Sequence, residues 1–440
     1  MQRLAASSLA FAAALACAAP AAAQKPPAPA VDEATATATA EAALAAAPVF
    51  DGHNDVPNQL RDRVRNQINA FDFEDTAPTA ATHPEGRAMQ TDLARLRQGK
   101  VGAQFWSVYV PFTADEPVAV QQVIEQIDVT KRLIDRNPGA LRFATTADQV
   151  ERAMADGKIA SLLGMEGGHS IGSSLAVLRQ LHALGARYMT LTHNSNVPWA
   201  DAATDNPRHD GLSDFGKDVV REMNRLGMLV DLSHVSEATM LDALDVAKAP
   251  VIFSHSGARA VDGHPRNVPD SVLARLPENG GIVMVVALPR FISEPVRQWG
   301  AKRAGEEARL KGLWQGQPAR VAEGLAAWDT ANPEPKATIK DMADHIDHIR
   351  KVAGVEHIGV GGDFDGMPSG PQGFEDVRGY PLLFAELARR GYSQAELEMI
   401  ASRNILRVMR AAEAYAASVA DQPPIETLIA PPTPPAAPAG

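Results

Sequence analysis

The chain has 440 residues, of which 45% are hydrophobic and 22% are charged, a composition typical of a globular protein. Its formal net charge of -11 argues against nucleic acid and against an anionic membrane surface as partners. The length fits either one barrel of about 250 to 400 residues or two smaller domains.

The segment 1–23 is predicted to be a signal peptide. Arg3 is followed by an apolar run to about Ala19, and Ala21–Ala23 form an A-x-A cleavage site. The run is too short to span a bilayer, so we expect no transmembrane segment and export to the periplasm or the cell exterior. Cys17 could instead carry a lipid anchor, although Ala14 stands where such sites usually have a larger aliphatic residue.

Cleavage after Ala23 would leave a mature chain without cysteine, because Cys17 is the only one. Disulfide bonds and thiolate catalysis would then be excluded, and any metal ion would need nitrogen and oxygen ligands. The leader 24–40 and the proline-rich tail 419–440 are both predicted to be disordered. A single folded domain is therefore expected over 41–418.

Short apolar runs alternate with amphipathic helical patterns across this domain. The runs predicted as strands are Pro48–His53, Val101–Val110, Ile159–Glu166, Tyr188–His193, Met228–His234, Pro250–His255, Gly281–Ala287 and His357–Asp363. Helical patterns lie between them, as at Asp214–Leu226 and Ile339–Val352. Eight alternations favour an α/β fold of the (β/α)8 TIM-barrel type. An open doubly wound sheet is the main alternative, but no G-x-G-x-x-G motif follows the first strand.

Ionisable residues collect at the ends of the predicted strands. The residues that close a strand are His53, Glu166, His193, His234, His255 and Asp363. The C-terminal ends of barrel strands face one rim, so these residues converge, and the side-chain period of two turns Asp55 the same way as His53. One histidine at a strand end is more often structural. So many buried ionisable groups would be costly without cations, however, and two divalent metal ions would satisfy them.

The remaining histidines are interpreted as structural. His345 and His348 lie three residues apart on a helix and are expected to face solvent. His169 and His264 lie close to the rim but are left out of the metal site. No G-x-S-x-G elbow, H-E-x-x-H helix or phosphate-binding glycine loop is present, so a metal-dependent hydrolase is the predicted class.

At these residues the sequence resembles the membrane (renal) dipeptidase family of zinc peptidases, over about 47–412. The motifs that carry the resemblance are DGHND at 51–55, GMEGGHS at 164–170, LTHNSNVPWAD at 191–201, VDLSH at 230–234, FSHS at 253–256, RNVPD at 266–270 and GGDFDG at 361–366. The resemblance implies the barrel fold and two zinc ions per chain. His53 and Asp55 match ligands of one ion, His234 and His255 match ligands of the other, and Glu166 matches the carboxylate that bridges both.

The resemblance also implies catalytic and substrate-binding roles. Asp363 matches the acid/base aspartate beside the bridging water, His193 the histidine that polarises the scissile carbonyl, and Arg266 the arginine that contacts the substrate's terminal carboxylate. The family cleaves dipeptides, often with a D-residue at the C-terminal position. A hydroxide that bridges the two metal ions would be the nucleophile. Because Val286–Phe291 departs from the family pattern, Phe291 stands near the place of a substrate-contacting tyrosine, and the side-chain preference is open.

The same residues are compatible with other functions. The same ligands would suit a barrel metallohydrolase that acts on an N-acyl amino acid or a lactone, or an exported binding protein with a structural metal cluster. The presence of both Asp363 and Arg266 favours catalysis on a carboxylate-bearing substrate. A homodimer is compatible with the sequence, which decides neither the oligomeric state nor the physiological metal.

Overall fold

The computed structural model describes residues 31–112 and 116–429. The predicted signal peptide 1–23 lies outside these residues. The strands within them are β1 (Val49–Asn54), β2 (Val101–Ser107), β3 (Leu141–Phe143), β4 (Ile159–Glu166), β5 (Ala186–Thr190), β6 (Leu229–Asp231), β7 (Ile252–Ser256), β8 (Ile282–Val285) and β9 (Ile358–Val360). They form one parallel sheet in the order β2-β1-β9-β8-β7-β6-β5-β4-β3, and a further pairing of β2 with β4 closes it. The predicted (β/α)8 barrel is confirmed, with β3 as an added strand beside β4.

Helices alternate with the strands around the barrel. The α-helices of the described residues are α1 (Glu33–Ala46), α2 (Val56–Val64), α3 (Leu93–Gln98), α4 (Glu116–Arg136), α5 (Ala147–Ala155), α6 (Leu175–Ala183), α7 (Asp214–Leu226), α8 (Glu237–Val246), α9 (Asp270–Leu273), α10 (Leu276–Asn279), α11 (Pro289–Ile292), α12 (Glu294–Leu313), α13 (Pro318–Ala331), α14 (Ile339–Val352), α15 (Tyr380–Arg389), α16 (Gln394–Glu398) and α17 (Asn404–Ser418). Both helical patterns quoted from the sequence, those of α7 and α14, have the predicted bounds. In α7 the Ser213 side chain accepts from the Gly216 N–H, and Gly227 ends the helix at a φ of 73°.

Five strands end earlier than predicted, and three of these were expected to end on a site residue. β5, β6 and β9 stop three residues before His193, His234 and Asp363, respectively. His234 and Asp363 have φ angles of 71° and 61°, in the left-handed region that strands do not use. These residues therefore lie in tight turns that follow the strands, and the rim of the barrel is built from turns as well as strand ends.

Both ends of the folded chain extend past the predicted domain limits. α1 starts at Glu33, inside the leader 24–40, and its alanine-rich face is buried against α15 and α16. Alanine has the highest helix propensity, so its abundance here indicates a helix and not disorder. At the other end, the Ile425 N–H donates to Glu222 and its carbonyl accepts from Arg179, so part of the tail 419–440 is bound to α6 and α7.

The lower part of the barrel is filled by apolar side chains. Phe50, Phe105, Ile252 and Met284 are buried there. His53, Glu166 and His255 lie beyond this layer, toward the C-terminal ends of their strands. Among the described residues, no helix combines the length and apolar character needed to cross a membrane.

Candidate metal centre and active site

Three histidine rings converge on one carboxylate at the barrel rim. Glu166 Oε1 lies 3.0 Å from His234 Nε2 and 3.5 Å from His255 Nε2. His53 Nε2 lies 3.5 Å from Glu166 Oε2 and 3.3 Å from Asp55 Oδ2. All five residues are 5% exposed or less. The structure thus brings together all five predicted metal ligands, whose roles as ligands stay predictions.

The second ring nitrogen of each of these histidines contacts an oxygen. The contacts are His53 Nδ1 with Tyr188 Oη at 2.8 Å, His234 Nδ1 with Asn194 Oδ1 at 3.2 Å, and His255 Nδ1 with Ser254 Oγ at 2.8 Å. A metal-binding histidine typically donates one ring N–H to such an oxygen, which fixes the tautomer and orients the ring. The arrangement leaves each Nε2 free to bind a cation.

The donor set fits divalent metal ions. His234 Nε2 and His255 Nε2 are 3.0 Å apart, and His53 Nε2 is buried without a hydrogen-bond partner among the described residues. Buried lone pairs that face one another need a proton or a cation between them. Imidazole nitrogens with carboxylate oxygens are ligands that zinc accepts. The side-chain groups that could each hold one ion are His53–Asp55–Glu166, Glu166–His193–His234 and His53–His255–Asp363.

Burial shifts the pKa values of the two predicted catalytic residues, Asp363 and His193. It raises the pKa of Asp363 well above its usual range, and the Asp55 and Glu166 carboxylates raise it further, against the effect of His53. Burial also lowers the pKa of His193, so its imidazole is neutral at neutral pH. A bound cation would act on the pKa of Asp363 in the opposite direction. The cluster therefore has protonation states that depend on the charge placed in it.

A cavity of 310 Å³ opens above the cluster. Asp363 and His193 line its base, while Arg266, Leu288 and Phe291 line one wall. This volume is at the lower end of the range for sites that bind small molecules. The cavity is therefore suited to a small substrate.

Arg266 places a positive charge in this wall. It is 3% exposed, and burial lowers its pKa to about 10, so it stays cationic at neutral pH. Its Nη2 donates to the His255 carbonyl over a long 3.4 Å, and its Nε has no partner among the described residues. No carboxylate of those residues lies within 4 Å of the guanidinium. A buried cation with unused donors is a ready partner for an anionic group of a ligand.

Phe291 supports this arginine. The guanidinium carbon of Arg266 lies 5.1 Å from the centre of the Phe291 ring, and the His264 ring lies 4.1 Å from the same centre. The Arg266 N–H also donates to His264 Nδ1 at 3.2 Å. Both neighbours thus hold Arg266 in the cavity wall. Phe291 lines the cavity as well, and its contact with substrate stays a prediction.

One histidine was assigned wrongly from the sequence. His345 does not face solvent but is fully buried. Its Nδ1 accepts from the Ala258 N–H at 2.8 Å, so its Nε2 carries the proton and donates to the Ile292 carbonyl at 3.2 Å. This face of α14 packs on the loops after β7 and β8, which carry Arg266 and Phe291. His345 therefore joins the two loops of the cavity wall.

The residues that orient the ligands have no predicted role. Tyr188, Asn194 and Ser254 were part of predicted strands or quoted motifs, and Asp231 lies in the VDLSH motif. The available signal was polarity within apolar strands, which holds for Tyr188, Asp231 and Ser254, whereas Asn194 is an exposed residue of a polar loop. Which ring nitrogen each one contacts depends on strand pairing, which the sequence does not show.

Known proteins resemble this chain over most of its length. The family model described as membrane dipeptidase (peptidase family M19) matches residues 37–423. Two proteins of Schizosaccharomyces pombe, both named as uncharacterized dipeptidases, are 42% and 43% identical over 394 and 398 residues. The matched regions cover 86% and 87% of this chain and 84% of each relative.

Solved structures share the architecture. The probable dipeptidase PvdM from Pseudomonas aeruginosa has a TM-score of 0.72 and 24% identity, over 86% of this chain and 99% of that one. A metallopeptidase from Rhodobacter sphaeroides, liganded with a phosphinate mimic of the dipeptide L-Ala-D-Ala, has a TM-score of 0.67 and 23% identity, over 83% and 99%. At these identities the likeness shows the fold.

Proposed function

Because the chain belongs to the membrane dipeptidase family, peptidase family M19, we propose that it hydrolyses the peptide bond of dipeptides at a pair of zinc ions. The observation that carries the proposal is the buried, unpaired guanidinium of Arg266 in the wall of a cavity above the histidine cluster. It matches a substrate with a free carboxylate close to the bond that is cleaved.

The five clustered residues would hold the metals. His53 and Asp55 are assigned to one zinc ion, His234 and His255 to the other, and Glu166 to both. When bound, the ions would supply a nucleophile derived from water at neutral pH and would polarise the scissile carbonyl.

Asp363 and His193 would handle the proton and the developing charge. A carboxylate oxygen of Asp363 lies within 4.8 Å of a ring nitrogen of His53 and of His255. From there the carboxylate could take a proton from the attacking water and return it to the leaving amine. Neutral His193 lines the cavity and would donate a hydrogen bond from Nε2 to the oxyanion.

Arg266 would select the substrate by its terminal carboxylate. Arg266 lies in the loop after β7, which is opposite β2 in the barrel, and Tyr109, which follows β2, also lines the cavity. A dipeptide bound to Arg266 would therefore extend across the cluster toward Tyr109. Recognition of the carboxylate does not depend on the handedness of the neighbouring carbon, so a C-terminal D-residue should be accepted. The ligand of the Rhodobacter sphaeroides protein is in line with this expectation.

The test compares four substrates with one enzyme preparation, with and without added zinc. We expect the highest kcat/KM for a free dipeptide, a sharp fall for its amide and for a tripeptide, and loss of activity after chelation. Equal rates on dipeptide, amide and tripeptide would refute the proposal that Arg266 binds the terminal carboxylate. Faster hydrolysis of an N-acyl amino acid would make that the substrate class.

We also propose that the protein is exported after cleavage following Ala23, which the composition of 1–23 supports. Sequencing the N-terminus of protein from the periplasm or culture medium tests this, and lipid on Cys17 would contradict it. A homodimer stays a prediction, to be checked by light scattering.

A further inference from the structure

Asp231, the last residue of β6, is a fully buried carboxylate that accepts four hydrogen bonds. Its Oδ1 accepts from the Ser233 and Ser254 N–H groups at 3.1 and 2.8 Å. Its Oδ2 accepts from the hydroxyls of Thr190 and Ser254 at 2.5 and 2.6 Å. Among the described residues no basic side chain forms an ion pair with it. Asp231 has no role in the proposed hydrolysis.

The Ser254 hydroxyl connects Asp231 to the metal centre. The same Oγ lies 2.8 Å from His255 Nδ1. A hydroxyl has one hydrogen to donate, and a carboxylate has none. Ser254 therefore donates to Asp231 and accepts from the His255 Nδ1–H. With the proton on Nδ1, His255 Nε2 is unprotonated, and its lone pair is available on the side of Glu166.

We propose that Asp231 is a positioning residue of the metal centre, which acts through Ser254 to fix the tautomer of His255. It also places a negative charge behind the position formed by His234 and His255. The inference rests on the two-metal part of the proposed function and not on the dipeptide substrate.

This charge compensates for a difference between the two metal positions. The position at His53 has its own carboxylate, Asp55, and the group behind His53 is the neutral phenol of Tyr188. Among the proposed ligands, only the shared Glu166 brings a carboxylate to the position at His234 and His255, because the nearby Asp363 is assigned to proton transfer. Asp231 supplies a further negative charge behind this position, where the Ser254 hydroxyl connects it to His255.

The experiment measures zinc binding in a series of zinc buffers on metal-free protein. Ser254→Ala leaves the His255 N–H without its acceptor, so we expect one of the two zinc affinities to fall by about 10- to 100-fold while the other changes little. Asp231→Asn should act on the same position, because an amide can donate to Ser254 and so turn the serine hydrogen toward His255. Tyr188→Phe should weaken the other position.

Matched variants separate this role from a structural one. Ser254→Thr keeps the hydroxyl and should bind zinc as the wild type does, whereas Ser254→Val, of the same shape, should behave as Ser254→Ala. Ser161→Ala removes a buried serine of β4 that bonds only the Ile159 carbonyl, and it should keep both affinities. Thermal unfolding of each metal-free variant shows whether it is folded before zinc is added.

Two results would overturn the inference: wild-type affinity at both positions in Ser254→Ala and Asp231→Asn, or equal weakening in the Thr and Val variants. Wild-type protein that binds two zinc ions but hydrolyses no dipeptide would refute the proposed substrate and leave the role of Asp231 standing. Wild-type protein that binds no divalent metal would refute both.

Discussion

Replacing Arg266 with lysine isolates what the guanidinium contributes to substrate recognition. Lysine keeps the positive charge but offers a single point of contact in place of a planar pair of donors. Arg266 is 3% exposed, so water competes little for its donors, and only one of them is engaged, at 3.4 Å. The variant therefore loses one of two charge-assisted hydrogen bonds to a substrate carboxylate.

Such a bond contributes about 2 kcal/mol, which corresponds to roughly a 30-fold change in an equilibrium constant. Because the carboxylate is bound in the ground state and in the transition state alike, the loss should appear mainly in KM. An amidated dipeptide has no carboxylate to lose, so its kcat/KM should fall much less. The preference for the free dipeptide over the amide should therefore shrink by about 30-fold.

The assay is a cycle of two enzymes and two substrates, with kcat/KM measured for each pair. Arg290→Lys is the matched control, since Arg290 neighbours Phe291 but is exposed. A fall of equal size on dipeptide and amide would show that Arg266 maintains the structure of the site without binding the carboxylate.

Three further predictions concern the metals, the proton acceptor and pH. Elemental analysis should find about two zinc ions per chain, with both weakened by Glu166→Gln and mainly one by His255→Ala; full activity without stoichiometric metal would contradict this. Asp363→Asn should lower turnover by at least ~100-fold with zinc content unchanged, and parallel loss of zinc would make Asp363 a ligand. Burial lowers the pKa of His345 to about 4, below the roughly 6.5 of the unfolded chain, so the unfolded state binds more protons between these values. The stability that the neutral His345 ring contributes is thus complete above about pH 6.5 and is lost as the pH falls toward 4. In urea titrations of metal-free protein, the free energy by which wild type is more stable than His345→Gln should shrink by up to about 3 kcal/mol over this range. A difference in unfolding free energy that stays constant with pH would contradict this prediction.

The sequence predicts the barrel well because its strands are buried on both faces and therefore appear as apolar runs. β4 has the predicted bounds, and the other predicted strands differ only at their ends. β3 was not predicted, since three residues are too few to show a period. The first part of α1 was taken for a disordered leader because the segment is rich in proline, alanine and threonine, and the packing of α1 on α15 and α16 shows the helix.

The candidate site is predictable where a residue type carries the signal. Histidines and acids at strand ends identify the cluster, and the structure brings them together. The interactions of His345, Ser254 and Asp231 depend on which loops and strands become neighbours. A histidine on an amphipathic helix gives no sign in the sequence of whether its face meets solvent or another loop.

The closure of the barrel has a consequence for when the protein becomes active. β1 and β9, the first and last strands along the chain, are neighbours in the barrel: Asp51 pairs with Val360 and accepts from the Gly362 N–H, 311 positions away in the sequence. The Asp363 N–H donates to the His53 carbonyl between the ends of the same two strands. Contacts between such distant parts of a chain form only after the loop between them has closed. A polypeptide still in synthesis, or cut short before β9, holds His53 without Asp363, so the proposed active site is complete only after β9 and the turn that follows it have been made.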